Sequence, residues 1–286
     1  MRNYHFSLMG IVNVTPDSFY DGGRYVAVDV AVEHGIQLSE EGADILDVGG
    51  ASSRPGAKEV PPEKETDRVL PVVRQLVKKV SCPISVDTTS AFVARRALDA
   101  GASWINDISA GRIDAGMAAV VAESGCKVVL MHSRATPLTM QQHADYNDIV
   151  SEVVHELRSE IDNFLKAGVS VRQVVIDPGI GFAKTTEHNI ALLAGLRTFV
   201  NLGYPVLVGT SRKTFVGKIT AKEAPEERLF GTLGSVASAF LRGAQIFRVH
   251  DVGATKDFLS VLSAIEFADP RRVKCSEKTI GQDDTA

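Results

Sequence analysis

The 286-residue chain is 44% hydrophobic and 23% charged, with a formal net charge of −4 at pH 7. Such a balance belongs to a globular protein and excludes a uniformly basic nucleic-acid surface, and no apolar run reaches the roughly 18 residues that a membrane-spanning helix needs. The length suits one α/β barrel, for which about 250 residues is typical. Cys82, Cys126 and Cys275 are odd in number and far apart, which argues against a disulfide framework or a CxxC zinc site and points to a reducing cytoplasm. Residues Met1 to Phe6 carry no charged leader with an apolar core, so no secretory signal is expected.

The first expected strand, Phe6 to Val14, ends at Asn13-Val14-Thr15 and opens into the loop Pro16 to Gly23. Asp29 is a candidate N-cap for a helix carrying Val32, Ile36 and Leu38 and stopping at Gly42. A second strand at Ile45 to Val48 feeds the loop Gly49-Gly50-Ala51-Ser52-Ser53-Arg54-Pro55-Gly56 and a helix over about Glu63 to Lys79. The third strand, Pro83 to Asp87, precedes a helix starting near Ser90 and stopping at Gly101, and the fourth, Ser103 to Ile108, holds Asn106 and Asp107.

Lys127 to His132 is the fifth strand, followed by a long polar loop from Ser133 to Tyr146 and a helix over about Asp148 to Lys166 that Gly168 terminates. The run Val174-Val175-Ile176-Asp177 is the sixth, β-branched and continuous in apolar character as a buried parallel strand should be, and it delivers Asp177 to Pro178-Gly179-Ile180-Gly181-Phe182. Its helix is expected over Glu187 to Asn201. Pro205 to Gly209 leads to Thr210-Ser211-Arg212-Lys213 and helical segments out to Leu241, and Gln245 to His250 leads to a helix over Thr255 to Ala268. Eight strand-loop-helix units with no linker between them predict a single (β/α)8 barrel over residues 1–269, with residues 270–286 a polar tail that frays. Strand-end residues then meet at one face, the C-terminal mouth.

Asp87, Asn106 and Asp177 end or nearly end three of those strands, where an unpaired carboxylate costs several kcal/mol unless donors or a ligand satisfy it. Such a trio suits a heterocycle edge rich in N–H groups; helix capping is the alternative for each acid alone. Lys213 puts a cation after the seventh strand, where barrels often bind phosphate, although Arg212 stands where a P-loop requires glycine. Arg248 and His250 alternate along the last strand, so both face the mouth and suit a diphosphate; a buried ion pair of Arg248 with Asp47 or Asp251 is the competing expectation. Asn13 offers an oxygen to a hard cation such as Mg²⁺, which keeps several waters and leans on substrate phosphate. His132 lacks any metal-ligand spacing and is expected to orient a loop.

Taken in order, Met9-Gly10-Ile11-Val12-Asn13-Val14-Thr15-Pro16-Asp17-Ser18-Phe19, Ser52-Ser53-Arg54-Pro55-Gly56, Ser85-Val86-Asp87-Thr88, Ile105-Asn106-Asp107-Ile108, Leu130-Met131-His132, Asp177 to Phe182, Ser211-Arg212-Lys213 and Arg248-Val249-His250-Asp251-Val252 resemble the dihydropteroate synthase family of pterin-binding barrels. The resemblance implies a transferase that condenses 7,8-dihydropterin-6-ylmethyl diphosphate with 4-aminobenzoate through a pterin cation, in folate biosynthesis. By position it implies that Asp87, Asn106, Asp177 and Lys213 hold the pterin, with Met131 and Phe182 lining the pocket. Asn13 would bind Mg²⁺, Arg54, Arg248 and His250 the diphosphate, and Phe19, Ser53, Pro55, Phe182, Ser211 and Lys213 the aminobenzoate. Asp87, Asp177, Lys213, Arg248 and His250 would carry the catalysis, and a homodimer through the helices after the late strands is implied as well.

Two positions depart from the family's pattern: Ala51 replaces the usual Glu before the Ser-Ser-Arg-Pro-Gly string, and Ala135 replaces a Gly after the fifth strand. Both bear on the aminobenzoate loops. The Ala-Ser-Ser string resembles that of sulfonamide-insensitive members, whereas Arg54-Pro55-Gly56 and Gly181-Phe182-Ala183-Lys184 look like the ordinary form. Competing activities are methyl transfer from methyltetrahydrofolate to a corrinoid protein, which needs no diphosphate-holding set, and pterin binding without chemistry.

Overall fold

The structure is a computed structural model that describes residues 6–14, 23–52, 56–57, 59–135, 139 and 144–268; of residues 23–27 it describes the backbone only. Eight parallel strands form one sheet in the order β6-β5-β4-β3-β2-β1-β8-β7. They are β1 (Ser7–Asn13), β2 (Ile45–Gly49), β3 (Ile84–Asp87), β4 (Trp104–Asp107), β5 (Lys127–Met131), β6 (Val174–Asp177), β7 (Leu207–Val208) and β8 (Ile246–Val249). An isolated parallel bridge between Ile176 and Val206 joins β6 to β7 and brings the sheet round to a barrel. β7 is short because Pro205 has no N–H for the ladder and Gly209 follows; Gln245 fills in, its side-chain oxygen accepting from Val206 N–H at 2.8 Å.

Around the barrel run α1 (Gly23–Glu40), α2 (Pro62–Lys79), α3 (Ala91–Asp99), α4 (Met117–Ser124), α5 (Ile149–Lys166), α6 (Thr186–Ala194), α7 (Leu196–Val200), α8 (Thr214–Thr220), α9 (Leu229–Leu241) and α10 (Val252–Glu266). The two-residue alternation of side chains sorts each strand into two cores. Outward residues such as Leu8, Leu46, Val86, Val128, Ile176, Val208 and Phe247 pack with the helices. Inward residues Met9, Ile45, Val129, Val175, Leu207 and Ile246, with Trp104 against them, plug the lower barrel. One inward step further along the strands, the lining turns polar: Asp47, Asn106, Asp177 and Arg248 follow Ile45, Trp104, Val175 and Ile246 at intervals of two. An apolar floor beneath a polar mouth is thus written into single strands.

Several expectations change. Asp29 does not cap α1 but lies inside it, because no Gly or Pro interrupts residues 24–28 and the helix starts at Gly23. The helix expected over Glu187 to Asn201 is two helices broken at Gly195, whose Cα approaches α5 so closely that a Cβ would lie 2.9 Å from Val150 Cγ2. α4, the helix of the fourth unit, for which the sequence marks no bounds, carries no side-chain cap and stops at left-handed Gly125. α10 begins at Val252 rather than near Thr255. Ser90 does cap α3 and Asp148 caps α5, each accepting a first-turn N–H. The tail from 270 onward and the loop from Thr15 to Gly22 lie outside the described residues.

Candidate active site

On one side of the mouth, strands β8, β2, β3 and β4 carry a largely buried ion cluster, fully buried at Asp47 and partly open at Arg248. Arg248 on β8 donates from Nε to Asp47 Oδ2 at 2.6 Å and from Nη2 to Asp87 Oδ2 at 2.9 Å. Asn106 Nδ2 donates to the same Asp47 Oδ2 at 2.9 Å. The ion pair with Asp47 expected as a competitor for Arg248 is therefore present, together with one to Asp87; Asp251 is taken instead by Arg212, with contacts of 3.0 and 2.5 Å. Burial pushes the Asp87 carboxyl up to about 7, opposed by Arg248 and reinforced by Asp47 and Glu65. Burial works against the Arg248 charge, but Asp47 and Asp87 outweigh it and its pKa rises. One guanidinium between two carboxylates leaves a negative balance in a buried site, which favours a ligand that donates N–H groups or carries positive charge. Asp47 Oδ1, fully buried, has no hydrogen-bond partner among the described residues.

Across the mouth the groups come from loops. Asp177 ends β6 with Oδ1 accepting the Gly179 N–H at 2.7 Å, and burial raises its pKa against the pull of Lys213. Lys213, which a surface reading would leave in solvent, is drawn inward: its Nζ stands 4.5 Å from the Phe182 ring centroid and donates to the Ile180 carbonyl. Burial lowers it to about 8, opposed by Asp177. That approach needs Gly181, where φ is +86° and a Cβ would lie 2.8 Å from Lys213 Cδ. Met131, Phe182 and Ala183 form an apolar slot with Ile108 and Ala135 beside it.

Ser211 and His250 join the ends of β7 and β8. The hydroxyl lies 2.9 Å from His250 Nδ1 and accepts the His250 backbone N–H at 3.2 Å. Asn13 stands exposed at the end of β1. Among the described residues no group of three His, Cys, Asp or Glu could hold a metal, so Asn13 fits Mg²⁺ only as a single oxygen ligand to an ion otherwise held by water and substrate. Phe19, Ser53, Arg54 and Pro55 lie outside the described residues.

Asp87, Asn106, Met131, Asp177, Phe182, Ser211, Lys213, Arg248 and His250 therefore sit at strand ends or on the loops after them at one mouth, as expected. Asp47 figured in the sequence only as a possible partner for Arg248, yet it is the shared acceptor beneath Arg248 and Asn106; counting two residues on from Ile45 would have pointed it inward. His132 orients loops, as expected, with Nε2 2.9 Å from Glu156 and Nδ1 3.0 Å from Lys184 Nζ.

The pterin binding enzyme family matches residues 9–250. A dihydropteroate synthase of Synechocystis is 43% identical over 258 residues, 90% of this chain and 89% of the relative. The solved Xanthomonas albilineans dihydropteroate synthase with 4-aminobenzoic acid superposes with a TM-score of 0.88 at 46% identity, covering 93% of this chain and 94% of that one. The same enzyme in complex with 7,8-dihydropteroate gives a TM-score of 0.84 at 43% identity over 94% and 97% of the two chains. The chain belongs to the pterin-binding enzyme family and, within it, to the dihydropteroate synthases.

Proposed function

We propose that this chain condenses 7,8-dihydropterin-6-ylmethyl diphosphate with 4-aminobenzoate, releasing 7,8-dihydropteroate and diphosphate. The observation that carries the reading is the placement of buried Asn106 and Asp177 and partly buried Asp87 as acceptors at one mouth, faced by Arg248 and Lys213. An N–H-rich pterin satisfies those acceptors, and Met131 and Phe182 supply its apolar walls. The methylene–oxygen bond to diphosphate breaks first, leaving a cation delocalised into the pterin; the amine then forms the carbon–nitrogen bond and loses a proton. Asp87 and Asp177 stabilise the ring as it becomes positive, an electrostatic contribution already oriented before reaction. Arg248 and His250, with Arg54, hold the departing diphosphate, and Asn13 is the ligand this chain offers Mg²⁺, which when bound neutralises phosphate charge.

Phe182, Ser211 and Lys213 face the aminobenzoate side, and Phe19, Ser53 and Pro55, outside the described residues, would complete it. Mixing the purified protein with both substrates and Mg²⁺ should release diphosphate and dihydropteroate in equal amounts; binding of the pterin without either product rejects the synthase reading. Competitive inhibition by a sulfonamide at or below the KM for 4-aminobenzoate assigns the ordinary form, and insensitivity assigns the departure at Ala51 a role.

The assembly proposed is a homodimer through α8 and α9. Phe230 is 84% exposed and Ile219 58%, and a groove of about 310 Å³ runs between α6, α8 and α9. Light scattering that returns a monomer would reject it. No helix among the described residues is long and apolar enough to cross a membrane. We place the reaction in the cytoplasm; a fluorescent fusion found at the cell envelope would contradict that.

A further inference from the structure

Lys184, directly after the apolar slot, is 4% exposed and belongs to none of the groups that would touch substrate. Its Nζ donates to the Phe182 carbonyl at 2.8 Å and contacts His132 Nδ1 at 3.0 Å and the His132 carbonyl at 3.4 Å. The Lys184 nitrogen thus meets three acceptors on two different loops, and burial pulls its pKa well below the ordinary lysine value. The imidazole passes the contact on: Nε2 donates to Glu156 Oε2 at 2.9 Å, and Glu156 takes Arg134 Nη2 at 2.5 Å and Nε at 3.0 Å. Arg134 lies 3.9 Å over the Tyr146 ring, and Tyr146 meets His188 edge-on at 5.1 Å. His188 in turn accepts the Thr185 N–H at 3.3 Å, one residue on from Lys184. The contacts close a ring through the β5 loop, α5, the start of α6 and the β6 loop.

Resting on the synthase reading, we infer that Lys184 is a positioning residue for the aminobenzoate side: it fixes Phe182 and locks the β6 loop to the β5 loop through His132. Two backbone features need such a lock. Ala183 is held at φ +51°, a left-handed conformation that costs about 1 kcal/mol or more for a residue with a Cβ. Gly179 packs so tightly on the β5 loop that a Cβ would lie 1.9 Å from the His132 carbonyl oxygen. Burial holds His132 down at about 4, so it stays neutral and accepts from Lys184 at Nδ1 while donating at Nε2. The pterin acceptors Asp87, Asn106 and Asp177 are carried by strand ends, and Met131 by β5, so of the pterin's contacts only the Phe182 wall, shared with the aminobenzoate side, stands on this ring. The aminobenzoate wall, built on Phe182, depends on it.

Lys184→Met keeps the length and removes the donors. It should raise the KM for 4-aminobenzoate about tenfold while equilibrium affinity for the pterin diphosphate changes less than about threefold, because sites must be held to within roughly 0.5 Å. His132→Leu should give the same split, and His132→Asn, whose Oδ1 replaces Nδ1 as acceptor, should restore most of the KM. Amide hydrogen exchange at residues 179–183 should accelerate in Lys184→Met and His132→Leu and return in His132→Asn, a readout that does not need turnover. Equal weakening of both substrates, an unchanged KM in a folded Lys184→Met, or unchanged exchange at 179–183 would overturn the inference. A wild-type protein that makes no dihydropteroate defeats the synthase reading instead, while the exchange series still decides whether Lys184 locks the two loops.

Discussion

The two halves of the mouth are built differently. Asp47, Asp87, Asn106 and Arg248 project from strands and hold one another in a largely buried ion cluster, so their positions follow from barrel register. Phe182, Lys184 and Lys213 stand on loops, and Asp177 accepts from one; their positions depend on hydrogen bonds to loop carbonyls and on glycines that permit close approach. The first half resists displacement because breaking it exposes charge; the second resists because two loops brace each other. Substitutions in the strand half should therefore damage stability and activity together, and those in the loop half should separate them.

The largest effect is expected from Arg248→Ala. It strands Asp47 and Asp87 without their cation, and removing one partner of a buried pair costs about 3–5 kcal/mol. Denaturant unfolding should show that loss alongside lost turnover; a normal stability would mean that the cluster relaxes into water and that the strand half is no more rigid than the loop half.

Lys213→Ala removes a loop-borne cation that stands against Phe182. Turnover should fall by about 10²–10³ in kcat/KM, the scale seen when one preorganised electrostatic group is lost, with less than about 1 kcal/mol of stability. Near-normal kcat/KM would remove Lys213 from the site.

Much of this contrast was legible beforehand, unevenly. Period-2 spacing placed Arg248 and His250 at the mouth, and the β-branched run before Asp177 read as a buried strand. Those signals are local, because a strand's side chains alternate whatever surrounds it. The Lys184–His132 contact spans 52 positions and arises only when two loops cross, so no spacing announces it. The break at Gly195 has the same origin, a tertiary approach to Val150. Asp47 was readable by the alternation rule, but a carboxylate flanked by Leu46 and Val48 is easily passed over as a strand residue.

A pH comparison sharpens the loop half further. His132 is held near 4 in the folded chain against an ordinary 6.5, so its contribution to stability is complete above pH 6.5 and is lost as pH falls toward 4, to about 3 kcal/mol at most. Asp87 runs the other way: its folded pKa of about 7 lies above the ordinary 3.8, so it favours the folded state at low pH and loses that contribution as pH rises through 7. The two slopes oppose each other in the wild type. The stability difference between wild type and His132→Asn should isolate the first, shrinking from pH 7 to pH 4; parallel profiles would mean that His132 is not held neutral by burial.

The central claim is that buried strand-end acids hold the pterin. Titrating wild type and Asp177→Asn with the pterin diphosphate tests it most directly, because asparagine still accepts the Gly179 N–H and leaves the loop in place while removing the charge. Affinity should fall about a hundredfold, the worth of charge-assisted hydrogen bonds in a buried site. Equal affinity in the two proteins would contradict the account.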